Sequence, residues 1–129
     1  MTFTTEDSYY EGFENGYPST WSGNGWGVTN SGTPYEGVSC LVAYMVNDSI
    51  SFTRTVTTSP NGNISFYFMK CYSCAPTSFY IDNALQATFN DVNWTLHNYS
   101  FLPGTHTFKW KVTSSGTIDE RIDYIIVSP

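Results

Sequence analysis

Turn-forming residues break this chain every 8 to 12 residues or so, and the stretches between them are rich in β-branched and aromatic side chains. No stretch of amphipathic helix interrupts the pattern. Strands are expected near Ser8–Phe13, Trp26–Thr29, Val38–Met45, Ser49–Val56, Asn63–Lys70, Ser78–Asp82, Leu85–Phe89, Trp94–Phe101, Thr105–Thr113 and Arg121–Val127. The breaks carry Pro60-Asn61-Gly62, Asp82-Asn83, Pro103-Gly104 and Ser114-Ser115-Gly116, residue types that preset or tolerate turn dihedrals. So many short strands in 129 residues suggest two packed antiparallel sheets with Greek-key links, in a single domain spanning 1–129.

Two strands are specific. In Thr105–Thr113, Thr105, Thr107, Lys109 and Lys111 alternate with His106, Phe108, Trp110 and Val112; at a period of two, the first row faces water and the second the core. In Asn63–Lys70 both rows are semi-apolar. Ile64, Phe66 and Phe68 are expected inside, with Tyr67 and Met69 lining a partly open second surface of a central strand.

Charged residues make up 12% of the chain, against about 25% in an average domain, while Ser and Thr make up about a quarter. Five basic side chains (Arg54, Lys70, Lys109, Lys111 and Arg121) and a net charge of −6 argue against nucleic acid and against an anionic membrane surface. No apolar run approaches the roughly 20 residues of a membrane-spanning helix, so no membrane insertion is expected. Met1–Tyr10 carries no basic or apolar leader, which suggests a domain of a larger secreted protein or export by another route. Cys71-Tyr72-Ser73-Cys74 has CxxC spacing without a helix to follow it. With Cys40 as a third thiol, free thiols, a loop-local disulfide and a metal site all stay open. The four N-x-S/T sequons, at Asn47, Asn63, Asn93 and Asn98, are close to the two or three that chance gives at this Ser and Thr content, and indicate little.

Phe13-Glu14-Asn15-Gly16-Tyr17-Pro18-Ser19-Thr20-Trp21, then Trp26-Gly27-Val28 and Glu36-Gly37-Val38-Ser39, form an opening that resembles a bacterial family. It is the MAM-like, concanavalin-like jelly-roll domain of cleaved adhesins, choice-of-anchor surface proteins and carbohydrate-binding modules. Phe79-Tyr80-Ile81-Asp82-Asn83 resembles its F-x-I-D-G hairpin. Trp94 through Trp110 resembles its W…L-x-x-G-x-H-x-x-x-W segment, and Ile122-Asp123-Tyr124-Ile125 its closing I-D-D-I strand. The sequence departs from the pattern at Asn83, at Tyr124 and in the Cys71–Cys74 loop. The resemblance implies an all-β, two-sheet antiparallel jelly-roll sandwich, and a calcium ion held by Glu14 and Asp123 with Asn15, Asn30, Glu36 or carbonyls completing the shell.

Motifs of catalysis are missing: there is no G-x-S-x-G, HExxH or phosphate-cradling loop. His106 is expected as a packed core histidine and His97 as an outward one. The chain is therefore read as no enzyme. Trp110, Phe66, Phe68, Phe79 and Trp94 are assigned to the core, as Trp21 and Trp26 are in preference, with Trp21 kept as a ligand candidate. Tyr17, Tyr35, Tyr72 and Tyr124 are the exposed candidates for stacking on a sugar or a protein. The expected function is a non-catalytic, extracellular or cell-surface recognition module of an adhesin or fibre tip, binding glycan. The alternative is a structural or oligomerising head or spacer of a surface fibre, trimeric if a head, that binds a surface protein instead.

Overall fold

The computed structural model describes residues 8–57, 61–113 and 117–129. The turns expected at Pro60 and Ser114-Ser115-Gly116, and most of Met1–Tyr10, lie outside the described residues. Eleven strands follow one another: β1 (Tyr9–Glu11), β2 (Ser22–Gly23), β3 (Trp26–Thr29), β4 (Cys40–Ala43), β5 (Ser49–Val56), β6 (Gly62–Met69), β7 (Thr77–Ile81), β8 (Ala84–Phe89), β9 (Thr95–Phe101), β10 (Gly104–Val112) and β11 (Arg121–Ser128). They form two antiparallel sheets, as the turn spacing predicts. One runs β3-β4-β11-β6-β9 with β1 also on β11; the other runs β2-β5-β10-β7-β8. Among the described residues there is no helix.

Period-two alternation builds the core. Phe108, Trp110 and Val112 of β10 are fully buried, while Thr105, Thr107, Lys109 and Lys111 take the other face. Opposite them stand Ile64, Phe66 and Phe68 of β6. The Trp110 ring meets Phe66 edge-on at 5.2 Å and lies parallel to Trp21 at 5.8 Å, so the two sheets join through aromatic faces. Truncating a ring in such a core costs about 3–5 kcal/mol. On the outside of the second sheet, hydroxyl pairs replace charges: Thr53 with Thr107, Thr55 with Thr105 and Ser78 with Thr88.

Two cysteines close a local disulfide, Cys71–Cys74, and Cys40 is a buried free thiol. Buried Lys70 ties the disulfide loop down by donating to the Cys74 carbonyl at 3.0 Å.

Both histidines differ from expectation. His97 belongs to the inward row Thr95, His97, Tyr99 and Phe101; its ring stacks on Phe89 at 4.1 Å and bonds Asp91 at 2.6 Å, so it does not point outward. His106 sits at the rim of the core instead of inside it. Its Nδ1 faces the Asp82 carboxylate at 2.5 Å and its Nε2 the Leu102 carbonyl at 2.6 Å. Two acceptors on one ring call for two N–H donors, which only the imidazolium supplies. The pair locks the β7–β8 turn, where Asp82 and Asn83 both have positive φ (51° and 65°), the dihedrals of a tight hairpin turn. Burial pushes the His106 pKa down, but the Asp82 and Leu102 bonds outweigh it and raise the pKa above 6.5. Burial likewise raises that of Asp82, and the Thr107 N–H and His106 lower it overall.

The pair's contribution to stability is therefore complete below the ordinary histidine value and lost as pH rises through the raised one; on the acid side it is lost as Asp82 protonates. Urea denaturation at about pH 5.5 and about pH 9 is expected to show an alkaline decline that His106→Gln flattens. An unchanged slope in the variant would remove the charged pair.

Candidate functional site

The site grows from one irregularity in β11. Pairing with β6 runs Asp123 opposite Tyr67 and Ile126 opposite Ser65, so β11 holds one residue more than its partner. Such a bulge reverses which side chains face in. Ile122 points inward and so do Ile125 and Val127, which leaves Asp123 and Tyr124 both on the outer face. Tyr124 takes the extra position with φ 54°, a left-handed conformation that is strained for a bulky side chain. The neighbouring strands also stop short here. β4 pairs with Arg121 and Ile122, β1 with Ile125 to Val127, and the edge between them is open.

Residues 30–39 fill that gap as a strap laid across the outer face. Asp123, fully buried, accepts the Glu36 N–H at 3.0 Å and its neighbour's Tyr124 N–H at 2.8 Å. Glu14 reaches over to accept the Val38 and Ser39 N–H groups at 2.8 and 2.9 Å. Gly37 has φ +66°, and a Cβ there would overlap the Glu14 carboxylate, so only glycine lets the clamp close. At the other end the Ser31 carbonyl accepts from Arg121 Nη1 at 2.5 Å, and the Thr33 carbonyl from the Trp94 indole at 3.1 Å.

The strap assembles rings that are far apart in sequence. Tyr35 stacks on Tyr67 with ring centres 3.5 Å apart and planes 13° from parallel. Tyr124 meets Tyr35 at 5.7 Å and Tyr10 at 5.3 Å, both edge-on, and Trp94 meets Tyr35 at 6.3 Å. The Tyr10 hydroxyl donates to Glu36; burial first, then this bond, holds it protonated well above the ordinary tyrosine value. Tyr35 and Tyr10 remain 42% and 47% exposed. Beyond the rings the outer face continues as paired polar rows: Ser65 with Asn98 and Asn63 with Ser100. A cleft of about 340 Å³ adjoins the rings, lined by Gly32, Thr33, Met69, Asn93, Trp94, Asp119 and Arg121.

Of the residues expected to bind ligand, Tyr35 and Tyr124 come together in this group. Tyr72 stands 91% exposed at the tip of the disulfide loop, and Tyr17 lies in the turn before Trp21; no ring contact joins either to the group among the described residues. Trp21 is corrected to a core residue. It is 5% exposed, sandwiched against Phe52 and Trp110, and its indole N–H is spent on the Tyr9 hydroxyl, so no face is left for a ligand. Trp94 is corrected in the opposite sense, from core to surface wall. It shares parity with outward Leu96, Asn98 and Ser100, a signal present in the alternation. Tyr10 and Tyr67 complete the group, and Tyr67 was legible as part of the open second face of β6.

Glu14 and Asp123 do meet, at the strap. Each of their four carboxylate oxygens accepts a peptide N–H, and among the described residues no three His, Cys, Asp or Glu side chains gather as a cation site. The arrangement is an amide clamp. Burial, with the Glu14 and Glu36 charges adding to it, lifts the Asp123 pKa to about 6 against the pull of its two N–H bonds.

The sequence matches no family model and no curated protein. Solved structures do match. The K1 cleaved adhesin domain of Lys-gingipain from Porphyromonas gingivalis W83 superposes with a TM-score of 0.78 at 12% identity, over 95% of this chain and 98% of that one. A family 35 carbohydrate-binding module from Clostridium thermocellum gives 0.65 at 12% identity over 95% and 98%. The N-terminal CBM22 tandem domain of a Paenibacillus barcinonensis protein gives 0.68 at 16% over 93% and 44%. At these identities the likeness establishes the fold: a jelly-roll β-sandwich of the kind found in adhesin and carbohydrate-binding domains.

The clamp makes a direct prediction. Hydrogen bonds to a carboxylate contribute about 1.5–3 kcal/mol, so Glu14→Ala is expected to speed amide exchange at Val38 and Ser39 by tenfold or more, with the core amides of β6 and β10 unchanged. Equal exchange in the two proteins would mean that the strap is not held this way.

Proposed function

We propose that the chain is a non-catalytic recognition module, working outside the cell as part of an adhesin or surface protein, that binds glycan on the outer face of the β11–β6–β9 sheet. The observation that carries this reading is the Tyr35–Tyr67 stack, flanked by Tyr10, Tyr124 and Trp94 and continued by the Ser65, Asn98, Asn63 and Ser100 rows. Flat rings offer apolar faces to a pyranose, and nearby hydroxyls and amides read its oxygens. Low surface charge suits an uncharged ligand. Carbohydrate-binding and adhesin domains among the structural neighbours support the same class. The Cys71–Cys74 disulfide fits an oxidising compartment.

Hydrolysis finds no support in the cleft. Glycoside cleavage needs two carboxyls about 5–9.5 Å apart across the bond, and among the described residues the cleft lining holds one acid, Asp119, already bonded to Arg121.

A glycan array followed by titration is the test. Tyr35→Ala and Tyr67→Ala are each expected to weaken binding about tenfold, the scale of a lost aromatic contact, without lowering the melting temperature comparably. An array without hits, or a stable trimer in solution with these rings buried between subunits, would replace the glycan reading with that of an oligomerising fibre head.

The proposal includes calcium as a brace for the strap, not as a ligand contact. Glu14, Glu36 and Asp123 surround one loop, and among the described residues no basic side chain forms an ion pair with any of them. No three acids among the described residues gather there and the four clamp oxygens already accept N–H groups, so a cation would have to draw Glu36 and loop carbonyls in toward the clamp. The relief of the Glu14 and Glu36 charges on Asp123 would favour that movement. Melting is expected to shift upward by a few degrees in calcium relative to EGTA. Identical curves remove calcium and leave the ring surface as proposed.

A further inference from the structure

We infer that the cleft between Trp94 and Arg121 is the specificity subsite of the ring surface, and that it selects a neutral sugar residue bearing adjacent hydroxyls. This rests on the glycan reading of the outer face and names the ligand class for it. Position comes first. Arg121 is the cross-strand partner of Met69, and the next outward pair along the same two strands is Asp123 with Tyr67, on which Tyr35 stacks. Cleft and ring stack therefore lie two residues apart, roughly 7 Å, on one continuous face. Neighbouring sugar residues of one ligand can occupy both.

The chemistry of the cleft is unusual for this chain, which has only five basic side chains. Arg121 donates through Nε to Asp119 Oδ1 at 3.0 Å and through Nη1 to the Ser31 carbonyl at 2.5 Å. Nη2 of Arg121 and Oδ2 of Asp119 make no hydrogen bond to another described residue. The fork is thus fixed in place, and Nη2 and Oδ2 are the donor and acceptor that it leaves without a described protein partner. A pair of vicinal hydroxyls, each able to donate and accept, complements such a pair. A bare arginine would instead favour a carboxylate. Here Asp119 cancels the guanidinium charge, and the net charge of −6 repels acidic sugars.

The walls agree with this reading. The Trp94 N–H is engaged by the Thr33 carbonyl, which sets the ring's orientation in the cleft wall. Gly32, with φ +77°, lets the strap lie close on the guanidinium, since a Cβ there would stand 2.9 Å from Nη1. Asn93 also lines the cleft. A volume of about 340 Å³ lies at the small end of the roughly 300–1,000 Å³ range for ligand pockets, suited to one or two sugar rings.

Calorimetric titration of the purified chain with mannotetraose, xylotetraose, isomaltotetraose and tetragalacturonate tests the subsite. Asp119→Asn keeps an acceptor for Arg121 Nε but removes the charge and the second acceptor; Trp94→Ala removes the wall, and Tyr35→Ala reports on the ring stack. The wild type is expected to prefer a neutral tetrasaccharide. Asp119→Asn and Trp94→Ala should each weaken it at least about tenfold, and Asp119→Asn should narrow its advantage over tetragalacturonate. Binding lost in Tyr35→Ala but unchanged in Asp119→Asn and Trp94→Ala overturns the subsite and leaves the ring surface standing. Tighter wild-type binding of tetragalacturonate than of every neutral probe overturns the selection for neutral sugar. No binding of any probe overturns the subsite together with the glycan reading.

Discussion

The extra residue in β11 decides what the outer face can be. A regular strand would turn Tyr124 into the core and leave Asp123 as one polar side chain in an alternating row. The bulge puts both on the same side, at the point where β4 has ended and β1 has not begun. An open strand edge between two others has to be covered, because unpaired peptide groups in a half-buried place cost free energy. The strap covers it, and Asp123 accepts one N–H from the strap and one from the bulge itself. Strand pairing, strap position and ring placement are thus coupled through one carboxylate.

That coupling explains the use of charge in a chain that has little of it. Glu14 and Asp123 are spent on peptide N–H groups, Asp82 on His106 and the Thr107 N–H, and Asp119 on Arg121. These bonds hold loops onto sheets and leave few free charges at the surface. The face that carries the rings is therefore built largely of phenols, hydroxyls and amides.

Sequence reasoning reached the sheets because alternation is local. The spans Trp26–Thr29 and Ser49–Val56 coincide with β3 and β5, and the inward row of β10 is Phe108, Trp110 and Val112 as its pattern implies. Tyr67 and Met69 were legible as a second, half-open face for the same reason. The site was legible only in fragments. Its rings come from positions 10, 35, 67, 94 and 124, joined by a bulge that no periodicity announces and a strap that has no period at all. The resemblance to a jelly-roll family drew attention to Glu14 and Asp123, and the structure gives both a concrete task in the amide clamp. Trp94 is expected inside and His97 outside, and the parity of β9 places each on the other side.

The central claim is that the strap lies on the sheet and makes one surface of Tyr35, Tyr67 and Tyr124. Nuclear Overhauser contacts between aromatic protons test it directly in solution. Strong cross-peaks from Tyr35 to Tyr67 and to Tyr124, with Tyr10 to Tyr124 alongside, are the result this account predicts. A Tyr35 ring with sharp, solvent-like shifts and no cross-peak to Tyr67 would contradict it.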